Sequence, residues 1–450
     1  MMRSSLSVIL SAIMGVRAKM NEGYSINTLL PNSLSLLSDE DYSLGQAILY
    51  ESIRQTARNR FILSKFATNR PTPLVQALLE CSFSAFRLGG LKDFVIVNET
   101  VNAAKMRPET QAAVSFVNAL LRRYVRERDS LEELMAQRED CLFNAPIWWV
   151  RAIKHAQPTK WKKILGLAQR HPPLTLRVNT SLSSVPELMA RLAEAEIPAR
   201  QVGQEAIEII SPVPVVRIPG FREGLCSVQD AGAQLVADFL PLKDGDRVLD
   251  ACAAPGGKTA HLLERHKVEL TALEIDPVRT QRIHENLDRL GLQANVITAN
   301  AGDTASWWDH KPFDAILLDA PCTASGVTRR QPDTPWLRRP SDIEHLAREQ
   351  KSLLGTLWPL LKDEGHLLYV TCSIFPEEGT LQIQNFLKAH SDAKLVPLCT
   401  SNQGMMLLVP HEEEYYYDGQ LPSVHDGFFY ALLKKRGHFE LRTCFIVDKF

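Results

Sequence analysis

The spacing of apolar positions divides the chain into three textures. From residue 1 to about 140 they recur at helical intervals, as in 44–53, 74–86 and 113–124, with Pro and Gly sparse inside the runs. This predicts an all-helical domain. Ser130-Leu131-Glu132-Glu133 fits a helix start, with a serine cap and a glutamate three residues on. From Cys141 the pattern changes. Residues 145–149 open a short helix-rich stretch, and 174–179 alternate like a strand after the breaker His171-Pro172-Pro173. Residues 185–195 read as a helix and 206–210 and 215–218 as short strands, which together predict a small α+β module over 141–230.

After Val228 strands and helices alternate. Strands are expected at 247–250, 270–274, 294–298, 315–319 and 367–371, with helices at 277–290 and 343–361 among the connections. That rhythm predicts a parallel sheet with helices on both faces, an α/β Rossmann-like domain over 231–436. Residues 428–433 are strand-like, whereas 437–450, with Cys444, have no evident place in the sheet.

Composition changes this picture little. A chain of 450 residues has room for two or three domains, and a formal net charge of −1 leaves nucleic-acid binding to local patches. Such patches exist at Arg122, Arg123, Arg126 and Arg128, at Arg329 and Arg330, at Arg338 and Arg339, and at Lys434, Lys435 and Arg436. Each also fits a solvated helix face or loop. The eight cysteines show no zinc spacing, and no metal site is expected. Free thiols suit a reducing compartment, so a cytoplasmic protein is expected. Residues 6–16 are interrupted by Ser7 and Ser11 and followed at once by Arg17 and Lys19, which favours an amphipathic first helix over a signal peptide. No stretch reaches the ~20 apolar residues of a membrane span.

The chemistry concentrates at the ends of expected strands. Cys322 follows Leu318-Asp319-Ala320-Pro321, and Cys372 follows Tyr369-Val370-Thr371. Ligands of open α/β sheets bind outside the carboxyl ends of the strands, so two thiols delivered there suggest covalent catalysis. Placement alone leaves the two equal. The first strand runs into Asp250-Ala251-Cys252-Ala253-Ala254-Pro255-Gly256-Gly257-Lys258-Thr259. Its small residues let backbone approach a ligand, and the following helix offers free N–H groups to an anion. A phosphate-binding P-loop would need glycine where Cys252 stands, and the dinucleotide GxGxxG pattern is absent. Glu274, 24 residues beyond Asp250, ends the second strand, where a carboxylate can accept both ribose hydroxyls of an adenosine. S-adenosyl-L-methionine fits: its adenosine suits Glu274 and its carboxylate the glycine turn. Capping of the next helix is the bland role for Glu274, but Asp276-Pro277 is the better cap.

In this order, Asp250-Ala251-Cys252-Ala253-Ala254-Pro255-Gly256-Gly257-Lys258-Thr259, Asp319-Ala320-Pro321-Cys322 and Thr371-Cys372-Ser373 resemble the NOL1/NOP2/Sun family of RNA 5-methylcytosine methyltransferases. The resemblance covers nearly the whole chain. Asn98-Glu99-Thr100-Val101 and Phe116-Val117-Asn118-Ala119-Leu120-Leu121-Arg122 are similar to NusB, and residues 141–230 resemble the family's small RNA-binding module.

The resemblance implies methylation of cytosine C5 in 16S rRNA, naked or in an early small-subunit particle, with no membrane or DNA partner. It makes Cys372 the nucleophile that attacks cytosine C6, Cys322 the thiol that assists release, and Asp319 the partner of the N3/N4 edge. Lys258 is the implied charge that favours a thiolate. The implied cofactor set is Cys252, Ala253, Ala254, Pro255, Gly256, Gly257, Lys258, Glu274 and Asp319, with Asn300 where the family has an aspartate and Asp303 as its substitute. Arg329, Arg330 and Trp336 would clamp and stack RNA; a rigid surface loop is the bland alternative. Relatives usually have His where Gln331 stands. Residues 228–234 resemble the family's entry motif and are expected to be structural. Two other functions stay open. One is the same chemistry on tRNA. The other is an RNA-binding assembly factor with a vestigial catalytic domain, against which both thiols and Asp319 are intact.

Overall fold

The computed structural model describes residues 5–33, 37–211, 213–398, 404–412, 417 and 419–437. All but the first residue of the expected C-terminal extension, Cys444 included, lies outside them. The chain forms two compact units, residues 1–170 with 328–340 and residues 171–327 with 341–450.

The first unit is helical. Pro73–Leu88 is buried almost all round because nearly every position between Val75 and Phe86 is apolar or small, which suits a central helix. Leu6–Asn21, Asp39–Arg54, Asp93–Lys105 and Val114–Ala136 share its core, where Ile13, Leu49, Leu78 and Leu121 are fully buried. Glu80, wholly buried, is neutralised by Arg17 at 3.0 Å. The helix start expected at Ser130 is corrected. Ser130 lies inside one helix, Val114–Ala136, and its hydroxyl donates to Glu127 O at 2.9 Å. By packing, the helices Ile147–Ala156 and Trp161–Ala168 group with this unit, although the sequence changes texture at Cys141.

The second unit begins with an antiparallel sheet of β1 (Leu174–Val178), β2 (Ala199–Gln201), β3 (Ala206–Ile209) and β4 (Cys226–Val228), ordered β2-β3-β1-β4. The helix Val185–Glu194, capped by Ser184, buries Leu188 and Leu192 against it. The strand expected at 215–218 is instead a 3-10 turn, Val215–Arg217, entered from Pro214.

The larger sheet comprises β5 (Arg247–Asp250), β6 (Glu269–Glu274), β7 (Asn295–Thr298), β8 (Phe313–Asp319), β9 (Leu361–Thr371), β10 (Ala393–Leu395) and β11 (Met405–Leu408). A short ribbon, β12 (His411–Glu412) with β13 (Val424–His425), precedes its last strand, β14 (Phe428–Lys435). The order is β10-β14-β9-β8-β5-β6-β7, with β11 also on β14. β5 to β9 are parallel, as expected, whereas β14 pairs antiparallel with β9. The sheet is therefore mixed. Strand order reverses beside β5, which opens the crevice where such sheets bind ligands. Among the described residues no helix is long and apolar enough to cross a membrane, and no cluster of three metal-ligating side chains occurs.

Candidate active site

Four parallel strands deliver polar side chains to the carboxyl edge of the sheet: Asp250 from β5, Glu274 from β6, Asp319 from β8, and Cys372 just past β9. Asp319 is in register with Val370, so the turns after β8 and β9 leave the sheet side by side. Ala320 N then donates to Val370 O and Gly326 N to Cys372 O, both at 2.9 Å. The result is a thiol pair, with Cys322 Sγ 3.4 Å from Cys372 Sγ. Cys322 is buried and Cys372 partly exposed. The hydrogen bond to Cys372, and then burial, push the Cys322 thiol well above its usual pKa.

Lys258 Nζ donates to Asp319 Oδ2 at 2.5 Å. Burial opposes the ammonium, but Asp319, with Cys372 and Asp250 behind it, outweighs burial and holds the lysine pKa above its usual value. Lys258 does not face solvent as a lysine in the first turn of a helix commonly does: its side chain is only 14% exposed.

The turn after β5 is built for close approach. Gly256 has φ +94°, and a Cβ there would fall 3.3 Å from Ile283 Cα. The helix Pro277–Leu290 holds the turn through Arg279 on Ala254 O (3.1 Å) and Asn286 on Pro255 O (2.7 Å), while Ala253 N donates to Leu273 O at 2.8 Å. Ala253 and Ala254 are buried, Cys252 half-buried, and burial raises the Cys252 thiol pKa. Asp250 accepts from Thr259 at 2.7 Å through one oxygen and leaves Oδ1 buried without a partner. Burial raises its pKa to about 7. Glu274, 3% exposed, accepts from Asp276 N at 3.0 Å and lies 3.4 Å from Arg279. Asp276 caps the next helix, which leaves Glu274 outside that role. Asn300 and Asp303 are both exposed after β7, with Asn300 Oδ1 turned onto Gly302 N at 2.9 Å. An orphaned carboxylate oxygen, a buried carboxylate at the second strand end and a glycine turn at a helix start fit a nucleoside bearing an amino-acid group.

Three residues escaped sequence reasoning. Arg177, on β1, is 1% exposed and binds Glu264 bidentately at 2.6 and 2.9 Å. Its Nη1 donates to Gly257 O at 2.7 Å and Gln229 Oε1 at 2.6 Å, which fixes the start of the helix after the glycine turn. Glu378 and Gln350, both wholly buried, lie beneath the thiol turns. No motif or spacing in the sequence flagged Arg177, Glu378 or Gln350. Residues 228–234 are structural, as expected. Asp230 caps Ala231–Gln234 through Gly232 N and also accepts from Asp426 N. Gly326 and Gly427 touch backbone to backbone: Gly427 N donates to Gly326 O at 2.8 Å, and a Cβ on Gly326 would meet Gly427 O at 2.3 Å.

The RNA clamp is corrected in part. Residues 328–340 belong to the first unit. Arg329 is 1% exposed, and its carbonyl accepts from Arg54 at 3.3 Å, so it is a buried side chain and not a phosphate clamp. Arg330 is half-buried. Trp336 packs against the helical core, and Arg60 lies over its ring at 4.9 Å. Asp333 anchors the segment by accepting from Ser25 Oγ and Ile26 N.

Comparison with known proteins agrees with this layout. The family model for the 16S rRNA methyltransferase RsmB/F matches residues 237–434, that for the RsmF/B-like ferredoxin-like domain 145–216, and that for the NusB family 3–126. "Ribosomal RNA small subunit methyltransferase B" of Pseudomonas putida is 39% identical, covering 95% of this chain and 98% of its own. The Vibrio vulnificus protein of the same name is 37% identical, covering 92% and 96%. Among solved structures, PH0851 superposes with TM-score 0.77 at 24% identity over 95% of this chain and 99% of its own, which shows the fold. A methyltransferase homologue from Pyrococcus horikoshii gives TM-score 0.55 at 27% identity over 66% and 97%.

Proposed function

Because the chain belongs to the ribosomal RNA small subunit methyltransferase B family, we propose that it methylates cytosine C5 of 16S rRNA through a covalent cysteine adduct. The coarser activity, S-adenosylmethionine-dependent methylation of small-subunit rRNA, is that of the family. The observation that carries the finer reading is the 3.4 Å thiol pair beside the Lys258–Asp319 ion pair.

Cytosine C5 is too weak a nucleophile to take a methyl group unaided. Bonding of the Cys372 sulfur to C6 turns the ring into an enamine, which is nucleophilic at C5. When bound, S-adenosylmethionine supplies an electrophilic methyl group. With the methyl group on C5, solvent at the partly exposed Cys372 edge takes the C5 proton, the S–C6 bond breaks, and the returning Cys372 thiolate accepts a hydrogen bond from the Cys322 thiol, which assists release. Two features support this order. Cys322 is buried, which suits the helper more than the attacker. Cys372 is the more exposed of the two and interacts with the Lys258 ammonium. Asp319 faces the base edge, and the proton of its ion pair resides on Lys258. Asp250, Glu274 and the turn 252–257 hold the methyl donor. The base must be flipped out or come from a loop to reach this edge.

Bisulfite sequencing of total RNA from a deletion strain tests the reading. One 16S rRNA cytosine should lose protection and regain it on complementation. An unchanged 16S pattern with a lost tRNA or other site would sink it.

A further inference from the structure

We propose that Glu378 is a positioning residue that sets the distance between the two active-site thiols by bonding simultaneously to the residues that follow each of them. The inference rests on the two-thiol chemistry proposed above.

Glu378 sits in the 3-10 turn Pro376–Glu378 after β9 and is wholly buried. Its Oε2 accepts from the hydroxyls of Thr323 and Ser373, each at 2.5 Å. Its Oε1 accepts from Thr323 N at 2.8 Å and Gln350 Nε2 at 3.1 Å. Thr323 follows Cys322 and Ser373 follows Cys372, so one carboxylate spans both thiol turns. The same Gln350 amide donates to Pro321 O at 2.9 Å, the residue before Cys322. Tyr369 OH lies 2.8 Å from Glu378 O and 3.0 Å from Gln350 Oε1, two acceptors that share its single proton, which ties the bridge to β9. Ser325 adds a lock: its hydroxyl lies 3.0 Å from that of Ser373 and accepts from Ile374 N at 3.0 Å.

A buried carboxylate is costly unless fully hydrogen-bonded. Burial raises the Glu378 pKa, and its four donors oppose that rise. If the chain needed only to fill this space, an apolar side chain would serve without desolvating a charge. A carboxylate does what no apolar group can: two oxygens at a fixed separation receive donors from both turns at once, beside the hydroxyl contacts of Ser373 with Thr323 and Ser325. The four donors to the Glu378 carboxylate come from Thr323, Ser373 and Gln350 and not from either thiol, so the bridge acts on the sulfurs through their placement.

Capture of the thiol pair by phenylarsine oxide reads that placement without any RNA. The arsenic forms two S–As bonds, the two thiol protons leave with the oxide oxygen as water, and capture requires both sulfurs together. The full-length protein should take up one arsenical at this site, and C322S should lose it. E378A should capture at least ~10-fold more weakly, and its kcat should fall ~100-fold with KM for S-adenosylmethionine unchanged. E378Q, whose amide oxygen still accepts from Thr323, should recover most of the capture. Should E378A fail to fold, T323V and S373A each remove one arm, and each should weaken capture. Capture by E378A, or by both single-arm variants, equal to that of the wild type overturns the proposal, as does failure of the wild type to capture. Loss of capture in E378A together with no methylation of 16S rRNA by the wild type would support the spacing role while refuting the functional reading.

Discussion

Arg177 and Glu264 form a bidentate ion pair shut away from water, and Arg177 extends the same guanidinium to Gly257 O. A buried pair adds little over an apolar one, but breaking it strands a charge. Arg177→Ala should therefore cost about 3–5 kcal/mol in urea unfolding. Because Gly257 begins the helix after the glycine turn, KM for S-adenosylmethionine should rise more than kcat falls. Steady-state kinetics at permissive temperature separates the two. An unchanged KM would mean that the turn keeps its shape without this anchor.

The thiol pair predicts opposite phenotypes. Cys372→Ala should abolish turnover and any covalent RNA adduct. Cys322→Ala should let an adduct accumulate, visible as protein–RNA complexes on denaturing gels. The reverse pattern would exchange the two roles.

Two buried groups make opposing pH contributions. Burial pushes Asp250 up to about 7 from 3.8 and His261 down to about 4 from 6.5. Asp250 faces Asp319 and Lys258; His261 faces Glu205, Arg177 and Arg265. For Asp250 the stability present below its unfolded value is lost as pH rises through the folded one, because the folded chain retains a proton that the unfolded chain has released. For His261 the stability present above its unfolded value is lost as pH falls through the folded one. Between about pH 4 and 6.5 the two slopes cancel, and above 6.5 the Asp250 loss continues to about 7. Asp250→Asn should unmask stability rising with pH by up to ~1.4 kcal/mol per unit, and His261→Gln a fall of similar size. Urea unfolding across this range checks both signs.

Arg329→Ala should lower the unfolding free energy by more than ~1 kcal/mol, as expected for loss of a buried polar side chain. It should leave the salt dependence of RNA binding unchanged, because a residue this buried releases no counterion from phosphate. A flattened salt slope with unaltered stability would restore the clamp.

The parallel strands were legible because each is a short apolar run bounded by turn residues, and their ends alone located Asp250, Glu274, Asp319 and both thiols. The place of β14 was not, since 428–433 is apolar throughout and carries no periodicity to say which neighbour it pairs with. The β-branched residues Val215, Val216 and Ile218 imitated a strand, but Pro214 turns the chain into a 3-10 geometry. At Ser130 a capping pattern was present without any helix breaker, and the longer helix prevailed. Arg177 and Glu378 were invisible for another reason. Each looks like an ordinary polar position, and its meaning arises only from partners such as Glu264 and Thr323, far away in sequence.

The backbone contact between Gly326 and Gly427 has a consequence for biosynthesis. Both thiols are translated before Gly427 and β14, yet the Cys322 turn rests on Gly427, and β14 is the antiparallel neighbour that flanks β9. A nascent chain that has just completed β9 carries both thiols without Gly427 and β14, which flank them in the finished sheet. The residues up to Glu378 hold the thiols in register, and the last strand of the sheet, with Gly427 before it, adds the wall that encloses them.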